Sequence, residues 1–421
     1  MVGRLGGKLT YRMLWANRPF RLLWVGTLAM RLGMQIGVID LTWLVLKSTG
    51  SGEKIGVVLA LYAVGDIVAS PFVGVLLDRW PRKLLLSADV LAQAILFMVL
   101  GILFAAHHLP FLLLLGLVST AGALSPLAYL GRMIILPNVV SDEGWEAANT
   151  VMQLNMNLVT LLGPALGGLL VAVTGIAATV MITALTSFFY CGVLLQLSRS
   201  FYQSKQSHRP QPFKEEIAVG WKFLRKVPLL LTLVIVTLFF SLTYGPLEPA
   251  LPILVQSVFK AGPQILGLLW SSFALGAIIG TFLWGYYRPR WPLRHVVAGI
   301  IILWGLCSGL VGVTGNAWVA MVFLALGGLT YAPYNILYSV WRQRLVPDTL
   351  RGKVFGAINS VTGIGLPLGQ ALGGFLIGAV GASMTVRVGG VACVVLGFIV
   401  YGKKSLWVIP PDASGLQSSP G

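Results

Sequence analysis

The chain runs to 421 residues, 57% of them hydrophobic and only 10% charged, with a mean hydropathy of +0.85. A soluble globular domain carries about 25% charged residues, so a water-soluble fold is excluded and lipid must be the solvent. The net charge of +17, from 30 Lys and Arg against 13 Asp and Glu, invites a nucleic-acid reading that the placement of the cations removes.

Crossing hydrocarbon as a helix takes about 20 apolar residues, and about twelve such stretches occur. They begin near Phe20, Ile55, Leu84, Pro110, Ala147, Ile176, Pro228, Gln264, His295, Ala317, Val354 and Ser383. Backbone groups in lipid must be satisfied internally, and a β-barrel would alternate rather than run continuously apolar. The predicted fold class is therefore an all-α membrane protein of twelve transmembrane helices in two pseudo-symmetric six-helix bundles. The first apolar run is too long for a signal-peptide core. Of the 30 cations, 24 fall on one side of the implied topology, three on the other and three within spans. The positive-inside rule then places both termini in the cytoplasm of a multi-pass plasma-membrane protein. The cations mark topology, no nucleic-acid partner is expected, and anionic lipid is a secondary contact.

Along the first span, Arg31, Gln35 and Thr42 share a helical face, and Asp40 lies about 180° away from Arg31 on a straight helix. Asp66 lies near the middle of the second span, at a depth suited to pairing with Arg31. Intramembrane ionisable residues are functional candidates because their burial is expensive. Between spans two and three stands GVLLDRWPRK, residues 74–83. His107 and His108 occupy an external loop without metal-ligand spacing. Asn149, Gln153 and Asn157 recur at four-residue spacing on the fifth span, as cavity lining or as hydrogen-bonding glue between helices. Cys191, Cys307 and Cys393 sit in apolar runs, where packing is the expected role.

The polar stretch 198–227 is read as a cytoplasmic linker, dividing a first bundle (1–197) from a second (228–404), with a disordered tail at 405–421. In the seventh span Glu248 lies between Pro246 and Pro249, where a broken helix frees backbone groups. Tyr244 precedes it, and Tyr331, Asn335 and Tyr338 recur at helical spacing in the tenth span. Such aromatics suit a bulky amphipathic or cationic organic substrate.

The two halves repeat one another. Gly74 maps onto Gly285 and Arg79-Trp80-Pro81 onto Arg290-Trp291-Pro292 at a single offset close to half the chain. Gly56 and Gly65 map onto Gly267 and Gly276, Asp40 onto Glu248, and Ala165-Leu-Gly-Gly168 onto Ala371-Leu-Gly-Gly374, with small drifts. Six spans per copy give parallel repeats, an arrangement that places a substrate site near the membrane midplane.

The two halves, the central basic loop and G-x-x-x-D-R-x-x-R-K resemble the major facilitator superfamily over about residues 15–404. Within it, FRLLWVGTLAMRLG from Phe20, the stretch from Arg132 through LPNVVSDEGWEAAN, and LLGPALGGLL resemble the drug-exporter branch that includes macrolide-efflux proteins. Met34 stands where that branch often has an acid. The resemblance implies that Gly74, Asp78, Arg79, Arg82 and Lys83 form a conformational latch with Arg132 as the partner of Asp78. It also implies secondary active transport. The expected function is proton-coupled export of hydrophobic or cationic drug-like compounds, by a complete monomer without cofactor or metal. Glu248, Asp40, Asp66 and Arg31 are the proton-coupling candidates, and Gln35, Asn149, Gln153, Tyr244, Tyr331, Asn335 and Tyr338 the cavity candidates. Another amphiphile, such as a siderophore or lysolipid, stays open as cargo, as does a non-transporting membrane sensor. No paired-carboxylate site, Ser/His/Asp arrangement or phosphate loop points to an enzyme.

Overall fold

A computed structural model of the chain describes residues 13–141, 144–202, 213–287, 291–347 and 350–403, without the side chains of residues 71, 74, 75, 78, 128–134 and 213–217. Every regular element among the described residues is helical. In chain order these are α1 (Arg18–Thr49), α2 (Gly52–Arg79), α3 (Arg82–Ala105), α4 (Phe111–Val139), α5 (Trp145–Thr174) and α6 (Ile176–Gln196). A 3-10 turn at Arg199–Tyr202 precedes α7 (Phe213–Lys226), α8 (Pro228–Tyr244), α9 (Leu247–Ser257), α10 (Pro263–Tyr287) and α11 (Leu293–Val311). The chain continues through α12 (Ala317–Leu345), α13 (Arg351–Thr362), α14 (Gly365–Val380) and α15 (Ala382–Tyr401).

Among the described residues, ten stretches are long and apolar enough to cross a membrane, counting Pro228–Ser257 and Arg351–Val380 each as one. Only 33% to 50% of each one's most apolar window is buried. The described residues leave the remaining apolar faces uncovered, and lipid is the medium that leaves them stable.

The helix boundaries follow local chemistry. Proline opens α8, where its missing N–H costs nothing. The Asn316 side chain caps α12, accepting from the Trp318 and Val319 backbone N–H groups at 2.8 and 3.4 Å. Gly175 between α5 and α6 and Gly381 between α14 and α15 take φ of 84° and 81°. Both turns need the left-handed region that a side chain would strain.

The chain divides into two compact units. The first comprises Met1–Ser48, Leu61–His208 and Ala261–Ser271; the second comprises Thr49–Ala60, Arg209–Lys260 and Ser272–Gly421. In the first, α3 packs along α6, and a buried cluster joins Phe20, Leu23, Leu86, Val90, Ile135, Ala148 and Leu194. In the second, α11 packs along α15, and Leu224, Leu230, Val234, Val346, Val354 and Ile358 form a second cluster. Leu224 belongs to α7, so the stretch read from sequence as a polar linker carries a helix that buries an apolar face against the start of α13.

Candidate functional site

The second unit brings Glu248 together with a broken helix and a set of aromatic rings. Helix α8 ends at Tyr244 and α9 begins at Leu247, so the chain is interrupted at Gly245-Pro246. Against this break lies α14, whose Gly365, Gly369 and Gly373 recur every fourth residue and therefore share a face. A methyl on Gly369 would stand 2.6 Å from the Leu242 carbonyl oxygen, and one on Gly365 would stand 2.5 Å from that of Leu238. Only glycine permits so close an approach. The approach carries Gln370 to the acid, and its Nε2 donates to Glu248 Oε2 at 2.5 Å.

The rings surround that carboxylate's neighbours. Tyr331 hydrogen-bonds Tyr244 and Asn335 through its side chain, and both tyrosines lie within electrostatic reach of Glu248. Tyr331 has ring centroids of Phe240, Tyr244, Phe273 and Trp304 within 5.6 to 6.1 Å. Tilted and edge-on rings at such separations attract one another. Tyr334 Oη and Thr237 Oγ1 are 2.7 Å apart, which anchors one side of the cluster. Tyr338 stacks on Tyr334 at 6.3 Å and carries the Arg342 guanidinium over its ring at 5.5 Å, so it belongs to the layer next to the Glu248 rings.

The other candidates scatter. Asp40 in α1 is fully buried, and neither carboxylate oxygen has a hydrogen-bond partner among the described residues. The repeat explains the difference from Glu248: the residue corresponding to Gln370 is Pro164, which has no side-chain donor. Arg31 Nη1 reaches Met156 Sδ on α5, while Asp66 takes the Ser125 hydroxyl of α4 as its partner. Gln35 packs its Cβ against Gly163, one of the glycines through which α5 meets α1. Asn149 donates to the Trp145 carbonyl and Gln153 to Asn157, both within α5, and they remain exposed. The hydrogen-bonding glue on that helix is Asn155, which is buried and donates to the Trp24 carbonyl at 3.2 Å.

Of the latch residues, the side chains of Asp78 and Arg132, and Gly74 beyond its place in α2, lie outside the described residues. Arg79 is exposed, Arg82 Nε donates to the Leu77 carbonyl at 3.0 Å, and Lys83 Nζ donates to the Leu195 and Leu197 carbonyls at 2.7 Å each. Lys83 thus holds the C-terminal end of α6, where unpaired carbonyls and the helix dipole favour a cation.

Sequence reasoning missed Phe240, Phe273, Trp304 and Gln370 in the second unit, and Asp89 in the first. Gln370 was reachable, since it stands directly before the repeated Ala371-Leu-Gly-Gly374. An aromatic inside an apolar run carries no such signal.

A family model described as transmembrane secretion effector matches residues 14–412. The multidrug efflux pump Tap of Mycobacterium tuberculosis is 28% identical over 383 residues, covering 88% of this chain and 90% of that one. The staphyloferrin A transporter of Staphylococcus aureus is 25% identical over 381 residues, covering 88% and 92%. The crystal structure of the nucleoside transporter NupG matches with a TM-score of 0.71 at 14% identity, over 91% of this chain and 98% of that one, a likeness of fold.

Proposed function

The chain belongs to the transmembrane secretion effector family of major facilitator transporters, and we propose that it is a proton-driven exporter of hydrophobic or cationic drug-like compounds. The reading rests on Glu248. It is an acid in an apolar span, held by Gln370 and neighboured by Tyr244 and Tyr331 within a ring cluster. A carboxylate beside aromatic rings can bind an organic cation through both charge and ring quadrupole, and the same carboxylate can exchange that cargo for a proton. The relative named as a multidrug efflux pump supports this cargo class. Transport by alternating access needs no ATP from this chain. Twelve helices in two six-helix bundles, working as a monomer in the plasma membrane with cytoplasmic termini, complete the proposal. Asp40 is the second proton carrier, and Asp78 with Arg132 is the latch.

The test is an efflux panel in inverted vesicles, with cationic dyes and neutral and anionic amphiphiles, with and without a proton gradient. Gradient-dependent accumulation of cationic dyes is expected. Movement of anionic chelators alone would instead favour siderophore export, the reading that the staphyloferrin relative suggests. Cargo movement indifferent to the gradient would remove proton coupling.

A further inference from the structure

The first unit holds a group of polar side chains at positions that the second fills with aliphatic or aromatic ones. Tyr62 and Asp66 on α2 both hydrogen-bond Ser125 on α4, and Tyr62 lies within electrostatic reach of Asp66 and of Asp89 on α3. Asp89 is 4% exposed; its Oδ2 accepts from Gln93 Nε2 at 3.2 Å, and its Oδ1 has no hydrogen-bond partner among the described residues.

The repeat supplies the control. At the offset that relates Gly65 to Gly276 and Arg79-Trp80-Pro81 to Arg290-Trp291-Pro292, Tyr62 corresponds to Phe273, Asp66 to Ala277, Asp89 to Ile300 and Gln93 to Trp304. Gly122 packs on the Tyr62 carbonyl as Gly328 packs on that of Phe273, which pairs Ser125 with Tyr331. The fold therefore closes at these positions without an acid. Two carboxyl groups there have no structural necessity, and an ionised one with an unpaired oxygen is costly in so dry a place.

We infer that Tyr62, Asp66, Asp89, Gln93 and Ser125 form a proton-binding site of the first unit, separate from Glu248. A proton fits better than a metal ion. Gln93 turns an N–H donor toward the carboxylate, whereas a cation site would present acceptor oxygens. Among the described residues, no three His, Cys, Asp or Glu groups converge as a metal site would need. The Asp89 carboxyl takes a proton on Oδ1 and becomes neutral, while Tyr62, within electrostatic reach of it, shares the Ser125 hydroxyl with Asp66. Among the described residues of α6 and the 3-10 turn, which pack on α3, the other titratable or charged groups are Tyr190, Cys191, Arg199 and Tyr202. Cys191 Sγ donates to the Ser87 carbonyl and Tyr202 Oη to that of Leu194. The nearest described cations on α3 itself, Arg82 and Lys83, are engaged at backbone carbonyls.

The inference extends the proton-driven reading above, but its test uses the substrate-free protein. Infrared difference spectra of the purified chain in nanodiscs, titrated with pH, report carboxyl C=O stretches directly. The wild type and Glu248→Gln are expected to share a titrating component that Asp89→Asn loses. An Asp89→Asn spectrum identical to wild type overturns the site, and so does a component that responds to sodium against choline at fixed pH. If Asp89→Asn does not purify as a monodisperse protein, Gln93→Leu keeps the carboxyl and must move the midpoint of that component; an unmoved midpoint overturns the site. A wild type that moves no cationic dye yet keeps the Asp89 component would sink the proposed cargo and leave this site standing.

Discussion

Glu248 and Asp40 occupy corresponding positions of the repeat and, among the described residues, differ by one hydrogen bond. Gln370 donates to Glu248, and Pro164, at the place of Gln370, can donate nothing. A hydrogen bond to a charged group contributes about 1.5–3 kcal/mol, and a buried carboxylate deprived of its donor loses that support. Gln370→Leu removes the donor and fills similar space. Gradient-driven dye efflux in vesicles should fall about tenfold, since 1.4 kcal/mol is a factor of ten, while Gln370→Glu should fail for a different reason, by placing two acids together. Efflux unchanged in Gln370→Leu at matched protein level would mean that Glu248 works without this contact. At the same scale, the paired contacts of Cys191 with the Ser87 carbonyl and Cys393 with that of Ile301 fit the packing role expected of apolar-run cysteines.

The elements show why some features are legible in sequence and others are not. Spans are legible because lipid demands long uninterrupted apolar runs. The interruption before Glu248 is legible because proline announces it. Helix α7 was hidden, because an amphipathic surface helix has the composition of a polar linker. Tyr244 and Tyr331 stood out through their spacing to polar neighbours; Phe273 and Trp304 did not, since a ring facing the bundle and a ring facing lipid look alike in an apolar run. The glycines of α14 carry a distance-dependent role that substitution can read. A side chain at Gly373 would meet Pro246 at the break, whereas one at Gly378 has only Glu53 Oε2 within 4.0 Å. Overpacking a close contact costs about 1–3 kcal/mol. Gly373→Val should therefore lower the unfolding midpoint in detergent and Gly378→Ala should not. Equal midpoints would mean that α14 can retreat from α8 without cost.

Across the whole molecule, the repeat read in the sequence sets different chemistry at corresponding positions. The second unit couples an acid to aromatic rings; the first sets acids, a phenol and a hydroxyl in the corresponding places and, among the described residues, leaves Asp40 without a donor. Such asymmetry suits the proposed exporter, because cargo can exchange for a proton at Glu248 while the acids of the first unit carry a proton without meeting cargo. It also gives a quantitative expectation for Asp40 and Glu248 together. If each carries a proton through its own surroundings, losses expressed as free energies add, within about 0.3–0.5 kcal/mol for independent sites. Asp40→Asn, Glu248→Gln and the double variant should be compared as initial rates of gradient-driven efflux, with membrane insertion checked for each. The expected double loss is the sum of the singles. A double variant no worse than Glu248→Gln alone would make Asp40 a passive buried acid and place all coupling of the pair on the second unit.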